Sequence, residues 1–126
     1  MPNKKIQITT QNITVEADLL DRSESDNFYS SLPFTGRVNT WGLEIYFSID
    51  HSMELQEDAS EIVNLGDIAF WPPGNAFCIF FGPTPASIGD EIRAASEVNL
   101  LGKIIGAPLV FKSVPSGSDI KIEAVA

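Results

Sequence analysis

One block of sequence, Gly66 to Pro85, constrains this chain more than any other: GDIAFWPPGNAFCIFFGPTP. Two short apolar runs, Gly66–Trp71 and Phe77–Phe81, flank Pro72-Pro73-Gly74, and Gly82-Pro83-Thr84-Pro85 closes the block. Proline fixes φ and removes a backbone donor, so neither proline-rich segment suits the inside of a helix. The runs are short and bounded by turn residues, which predicts two strands joined at a stiff corner. Both runs are rich in aromatic side chains, yet no cluster of catalytic acids, bases or metal ligands accompanies them. The block predicts a small β structure with an apolar groove, and by itself it names no reaction.

Elsewhere the dominant hydrophobic period is also two. Lys5 to Thr9 places Ile6 and Ile8 on one face, and Ile13, Val15 and Ala17 repeat the pattern after Gln11-Asn12, which predicts an opening hairpin. Leu43 to Ile49 is a further strand, with Leu43, Ile45, Phe47 and Ile49 on one side and Glu44, Tyr46 and Ser48 on the other. Val98 to Ile105 continues the series, interrupted by Gly102, where a bulge or a close backbone approach is expected. Ile120 to Val125 alternates again and is expected to lie beside the first strand; Leu109 to Val114 is a candidate short strand. One segment reads as a helix: Asp21 or Ser23 can cap it, Glu24 and Asp26 suit its first turn, and Phe28 and Leu32 share a face before Pro33 ends it. Ser87 to Ala95 is a weaker helix or turn, broken by Gly89, and residues 53 to 61 read as a solvated acidic connection. Roughly six to eight short strands in a single domain spanning residues 1–126 predict a mainly β fold. A closed antiparallel barrel is expected, because an open sheet of that size leaves two edges ready to pair with other chains.

Charge and composition remove several function classes. Seventeen acids against eight bases give a net charge of −9, a surface that repels phosphate backbones and anionic lipid, so neither nucleic acid nor a membrane is an expected partner. Cys78 is the single cysteine; no internal disulfide can form, and its apolar neighbours predict a small buried hydrophobe. The single histidine, His51, lies in the polar Asp50-His51-Ser52 and reads as a surface residue, leaving no imidazole cluster for a metal and no evident catalytic triad. The Gly-Pro-Thr-Pro segment is too stiff to cradle a phosphate, and no cofactor is expected. With no signal-like N-terminus and no long apolar run, a cytoplasmic location is expected.

Glu44 is the one acid deep within a strand pattern, in Thr40-Trp41-Gly42-Leu43-Glu44-Ile45-Tyr46-Phe47. The expected groove has Trp41, Tyr46, Phe70, Trp71, Phe77 and Phe81 as its wall and Arg37, Glu44 and Asn99 as polar anchors. Alternation lets only some of these side chains reach the groove. Gly66, Pro72 and Gly74 also fit half of a cupin motif, but its histidine position is Phe77 and its second metal motif has no counterpart. A metal-dependent cupin is therefore excluded, with a cupin-like barrel as the alternative fold.

Read in order, Leu32-Pro33-Phe34-Thr35-Gly36, the Trp41 and Gly66–Pro85 segments and Glu97-Val98-Asn99-Leu100-Leu101-Gly102-Lys103-Ile104 resemble a family of small bacterial and archaeal cyclophilin-like proteins, formerly a domain of unknown function. The resemblance runs from about Ile6 to Val125 and implies a closed eight-stranded cyclophilin-like β-barrel. Val98–Ile104 and Phe77–Gly82 resemble barrel-building strands of true cyclophilins, whereas the Phe-His-Arg and Gln-Gly-Gly-Asp elements of prolyl isomerases are missing. The expectation is a non-catalytic barrel that binds a small molecule or peptide in an aromatic-lined groove. Alternatives are a weak prolyl isomerase using Arg37, or an accessory subunit, since related barrels serve in enzymes acting on small amides such as 5-oxoproline. A homodimer through an exposed aromatic patch is a further possible partnership.

Overall fold

The computed structural model describes residues 4–125. The N-terminal alternation folds as a hairpin of β1 (Lys5–Thr10) and β2 (Ile13–Leu19), turning through Gln11 in a left-handed conformation (φ 54°). Helix α1 (Ser23–Ser30) follows; its N-terminal flank is Arg22, with no side-chain cap, so neither Asp21 nor Ser23 caps it. The hydroxyl of Ser25 donates to the Leu101 carbonyl at 3.2 Å, and Phe28 is buried, which fixes α1 against the sheet. Then come β3 (Phe34–Arg37), β4 (Asn39–Thr40), β5 (Glu44–Ser48), β6 (Ser60–Val63), β7 (Asp67–Trp71) and β8 (Ala76–Phe80). The chain ends in β9 (Ile92–Ile105) and β10 (Asp119–Ala124). Pro72–Gly74 forms the expected corner between β7 and β8 as one 3₁₀ turn, completed by Asn75 at φ 46°.

All pairings are antiparallel, in the order β3-β10-β1-β2-β9-β7-β8-β5-β4, with β6 added to β9. The expected neighbours β1 and β10 do pair, Ile6 opposite Ala124 and Ile8 opposite Ile122. The expected closed barrel is corrected: the end strands β3 and β4 do not pair with each other, so the sheet is open. The reason lies at Val38. Phe34–Thr40 is one stretch of chain that changes partner there, β3 bonding to β10 and β4 to β5. Val38 itself donates to the Ser118 carbonyl (2.8 Å) and accepts from the Gly117 N–H (2.7 Å). A segment cannot form a ladder with itself, so the two ends of the sheet meet through a covalent link.

Two apolar clusters pack on opposite faces. The larger holds Ile6, Ile8, Phe28, Ile45, Phe47, Phe70, Phe77, Phe81, Leu101, Phe111 and Ile122; Phe28 stacks on Phe77 with ring centres 5.6 Å apart. The smaller holds Val63, Ala69, Ala76, Cys78, Phe80, Ile92, Ala94 and Val98. It exists because β9 is 14 residues long: its first part pairs with β6, its later part with β7 and β2. Residues Ile92 to Val98 thus cover a sheet face that would otherwise be wet.

Gly102 meets both expectations made for it. Opposite β7 the register jumps from Ile68–Gly102 to Ala69–Leu100, a bulge at Leu101. On its other side a Cβ at Gly102 would collide with the Asp18 carbonyl of β2. Three expectations change. Pro108–Ser113 is a 3₁₀ helix rather than a strand, residues 92–95 belong to β9 rather than a helix, and the acidic connection ends in β6.

A cleft between strand β5 and the start of strand β9

The cleft is assembled from the proline-rich turns outward. Gly42 has φ +61°, and a Cβ there would lie 2.8 Å from Pro85 Cδ and 2.9 Å from Thr84 Cα, so only glycine suits the position. That close approach lets Leu43 N–H donate to the Pro83 carbonyl (3.0 Å) while the Leu43 carbonyl accepts from Phe81 N–H (2.9 Å). Gly-Pro-Thr-Pro thereby seats the entrance to β5 and sets Trp41 at the cleft. Along β5, Ile45 and Phe47 enter the larger core while Glu44 and Tyr46 face the other way.

Trp71 ends β7 beside the Pro72–Gly74 corner. A Cβ on Gly74 would stand 2.8 Å from Cζ3 of the indole, so the glycine leaves room for the ring. The indole Nε1–H donates to Ser96 Oγ on β9 at 2.6 Å, which fixes the opposite edge. Ala94, Ala95 and Val98 from β9 complete the lining, and their small side chains leave a cleft of about 270 Å³ among Trp41, Glu44, Tyr46 and Trp71.

Glu44 is 5% exposed, and none of the residues lining the cleft is a lysine or arginine. The Cys78 thiol lies beside its carboxyl and donates to the Ala76 carbonyl at 3.8 Å. Burial drives the Glu44 pKa up to about 7, with the thiol opposing that rise. Burial also pushes the Cys78 thiol up, and the neighbouring carboxylate adds to the effect, so Cys78 stays protonated.

Four of the nine residues expected at the groove, Trp41, Glu44, Tyr46 and Trp71, come together here. The other five lie elsewhere. Phe70, Phe77 and Phe81 are in the larger core, 0%, 0% and 2% exposed, because each sits on the strand face opposite the cleft. Arg37 is on β3, with its side chain 80% exposed and 3.8 Å from Asp119. Asn99 is fully buried: it accepts the Gln56 N–H (2.8 Å) and donates to the Glu54 carbonyl (2.9 Å), tying down the 54–56 segment. Asn39 on β4 donates to the Tyr46 carbonyl at 3.3 Å. His51 is not the exposed loop residue expected. Its ring is half-buried among Phe28, Phe34 and Phe70 at 5.9–6.0 Å, its Nε2 has no partner among the described residues, and burial lowers its pKa.

The β9 contribution went unread in the sequence. Its signal is the alternation Ile92, Ala94, Ser96, Val98, diluted by alanine and serine, which are weak strand formers.

Fold and site together define a mainly β protein, an open antiparallel sheet with a cleft of small-molecule size beside its second apolar cluster. Residues 4–123 match the family model for cyclophilin-like proteins, and the chain belongs to that family. It is also similar to a hypothetical protein from Archaeoglobus fulgidus whose structure was determined in solution: 35% identity, a TM-score of 0.82, and coverage of 98% of this chain and 95% of that one. No curated protein matches the chain. Among the described residues, no helix is long and apolar enough to cross a membrane.

Proposed function

We propose that this protein binds a small molecule in the cleft between β5, Trp71 and β9, without transforming it. The observation that carries this reading is the convergence of three half-buried aromatic side chains on one buried carboxyl. Apolar walls with a few placed polar groups are the usual make-up of a ligand site. A volume of about 270 Å³ is the share of roughly nine waters, room for one ring with a short arm. A peptide in extended form needs a longer trough. A prolyl isomerase reading finds no support in the lining, since Arg37 stands on another part of the sheet. Nor does Glu44 have an activated nucleophile beside it, because burial keeps the Cys78 thiol neutral.

The chain has two tryptophans, and both line the cleft, so intrinsic fluorescence reports on this site alone. Titration with single-ring fragments is expected to give a saturable change in emission. Ala95→Phe, at an exposed lining position, is expected to abolish it while leaving the thermal transition in place. Fragment binding that persists unchanged in Ala95→Phe would refute the cleft as the binding site.

A further inference from the structure

Granting that the cleft binds a small molecule, its chemistry specifies more than size. Glu44 is the one charged side chain in the lining, and it is 5% exposed. A carboxylate out of water without a cationic partner is among the costliest groups a fold can carry. The titratable groups that face it are Tyr46 on its own strand and Cys78 on β8; β7 contributes Trp71 and β9 contributes Ala94, Ala95 and Val98. Among the described residues no cation answers the carboxyl, which borders an open cleft. Trp41, Tyr46 and Trp71 add three aromatic rings, whose negative faces attract cations. The net charge of −9 raises the local concentration of cations around the whole molecule.

We propose that the ligand is an organic monocation, a protonated or quaternary amine on a compact apolar body, with its charge set on Glu44 and its body between the aromatic rings. An anion would meet the Glu44 charge and the negative ring faces together. A neutral ligand would leave the carboxylate unpaired or require it to keep its proton. A cation supplies the missing partner in a site with little water, where a charge-assisted contact is strong.

The acid's titration gives the cation a signature. With a pKa of about 7, Glu44 is roughly one-tenth ionised at pH 6 and nine-tenths ionised at pH 8. A cationic ligand must compete with that proton, so its affinity is expected to rise about tenfold from pH 6 to pH 8. A neutral ligand that accepts a hydrogen bond from the protonated acid would show the opposite trend.

The test compares benzylamine, benzyl alcohol and benzoate by tryptophan fluorescence and titration calorimetry at pH 6 and pH 8, in the wild type and in Glu44→Gln. Benzylamine is expected to bind the wild type at least about tenfold more tightly than benzyl alcohol at pH 8. Most of that advantage should vanish at pH 6 and in Glu44→Gln. Benzyl alcohol or benzoate binding as tightly as benzylamine overturns the cation and leaves the cleft standing as a site. A benzylamine preference that survives Glu44→Gln undiminished also overturns it, since the charge is then not set on Glu44. Silence of both tryptophans toward all three at millimolar concentration overturns the cation and the small-molecule reading together.

Discussion

Replacing Glu44 with glutamine should stabilise the protein, and by an amount that depends on pH. The ordinary glutamate pKa is 4.5, and burial in the cleft lifts Glu44 to about 7. The folded protein therefore holds a proton that the unfolded chain gives up. A pKa raised on folding means full stability below 4.5, loss as pH rises toward 7, and a constant deficit above that. At about 1.36 kcal/mol per decade of pH, the deficit is about 1 kcal/mol at pH 5 and about 3 kcal/mol at pH 8. Glutamine keeps the shape and stays neutral, so it matches the protonated acid and removes the deficit. For a domain of 126 residues, 1 kcal/mol corresponds to about 4 °C in Tm. Glu44→Gln should thus raise Tm by about 10 °C at pH 8 and by only a few degrees at pH 5. Calorimetric or circular-dichroism melts of both proteins at both pH values decide the matter. An equal change at the two pH values, or a destabilised variant at pH 8, would refute the idea that an unpaired carboxylate is buried there.

His51 titrates with the opposite sense. Burial among Phe28, Phe34 and Phe70 lowers its pKa, so the stability it confers is complete above its ordinary 6.5 and is lost as pH falls below that. In the Glu44→Gln background, His51→Phe should flatten the acid limb of the Tm profile; an unchanged slope between pH 5 and 7 counts against a lowered His51 pKa. Gly102→Ala sets a methyl group against the Asp18 backbone, which cannot swing aside, and should cost about 3 kcal/mol or more in urea unfolding. A loss under about 1 kcal/mol would mean that β2 and β9 are not so close. Trp71→Phe and Ser96→Ala each remove the 2.6 Å indole hydrogen bond, worth about 1 kcal/mol, and the double variant should cost less than the sum of the two. Additive losses would show that the bond does not fix the ring.

Period-two alternation carried much of the fold in the sequence, and its failures have a common cause. Ile6 and Ile8, or Ile45 and Phe47, sit on strands with one clearly apolar face, so parity assigned them correctly to the core. On β7 and β8 the second cluster covers the other face as well, leaving every residue from Asp67 to Phe70 and from Ala76 to Phe80 buried. Alternation then distinguishes the two faces but not which one borders a cleft, and Phe70 and Phe77 were placed in the groove with Trp71. The same hidden layer explains Glu44: its face of β5 is not solvent, because Ala94 and Val98 arrive from a distant stretch of sequence. In the sequence Arg37 and Asn99 are simply polar residues near a strand, and nothing there shows Asp119 beside the first or the Gln56 and Glu54 backbone around the second. Closure was inferred from the danger of open edges, and Val38 shows another solution, in which one stretch of chain forms both end strands.

The pairing of Ile6 with Ala124 joins the first strand to the last, and that has a consequence during synthesis. As the chain leaves the ribosome, β1 can bond to β2 almost at once, but its other edge has no partner until β10 emerges. At roughly 5–20 residues per second, the approximately 110 intervening residues take about 5–20 s to add. Throughout that interval the nascent chain presents an unprotected strand edge beside Ile6 and Ile8, a template for pairing between neighbouring ribosomes on one message. A circular permutation that links β10 to β1 by a short turn would remove the wait, and with it the interval in which that edge stands open.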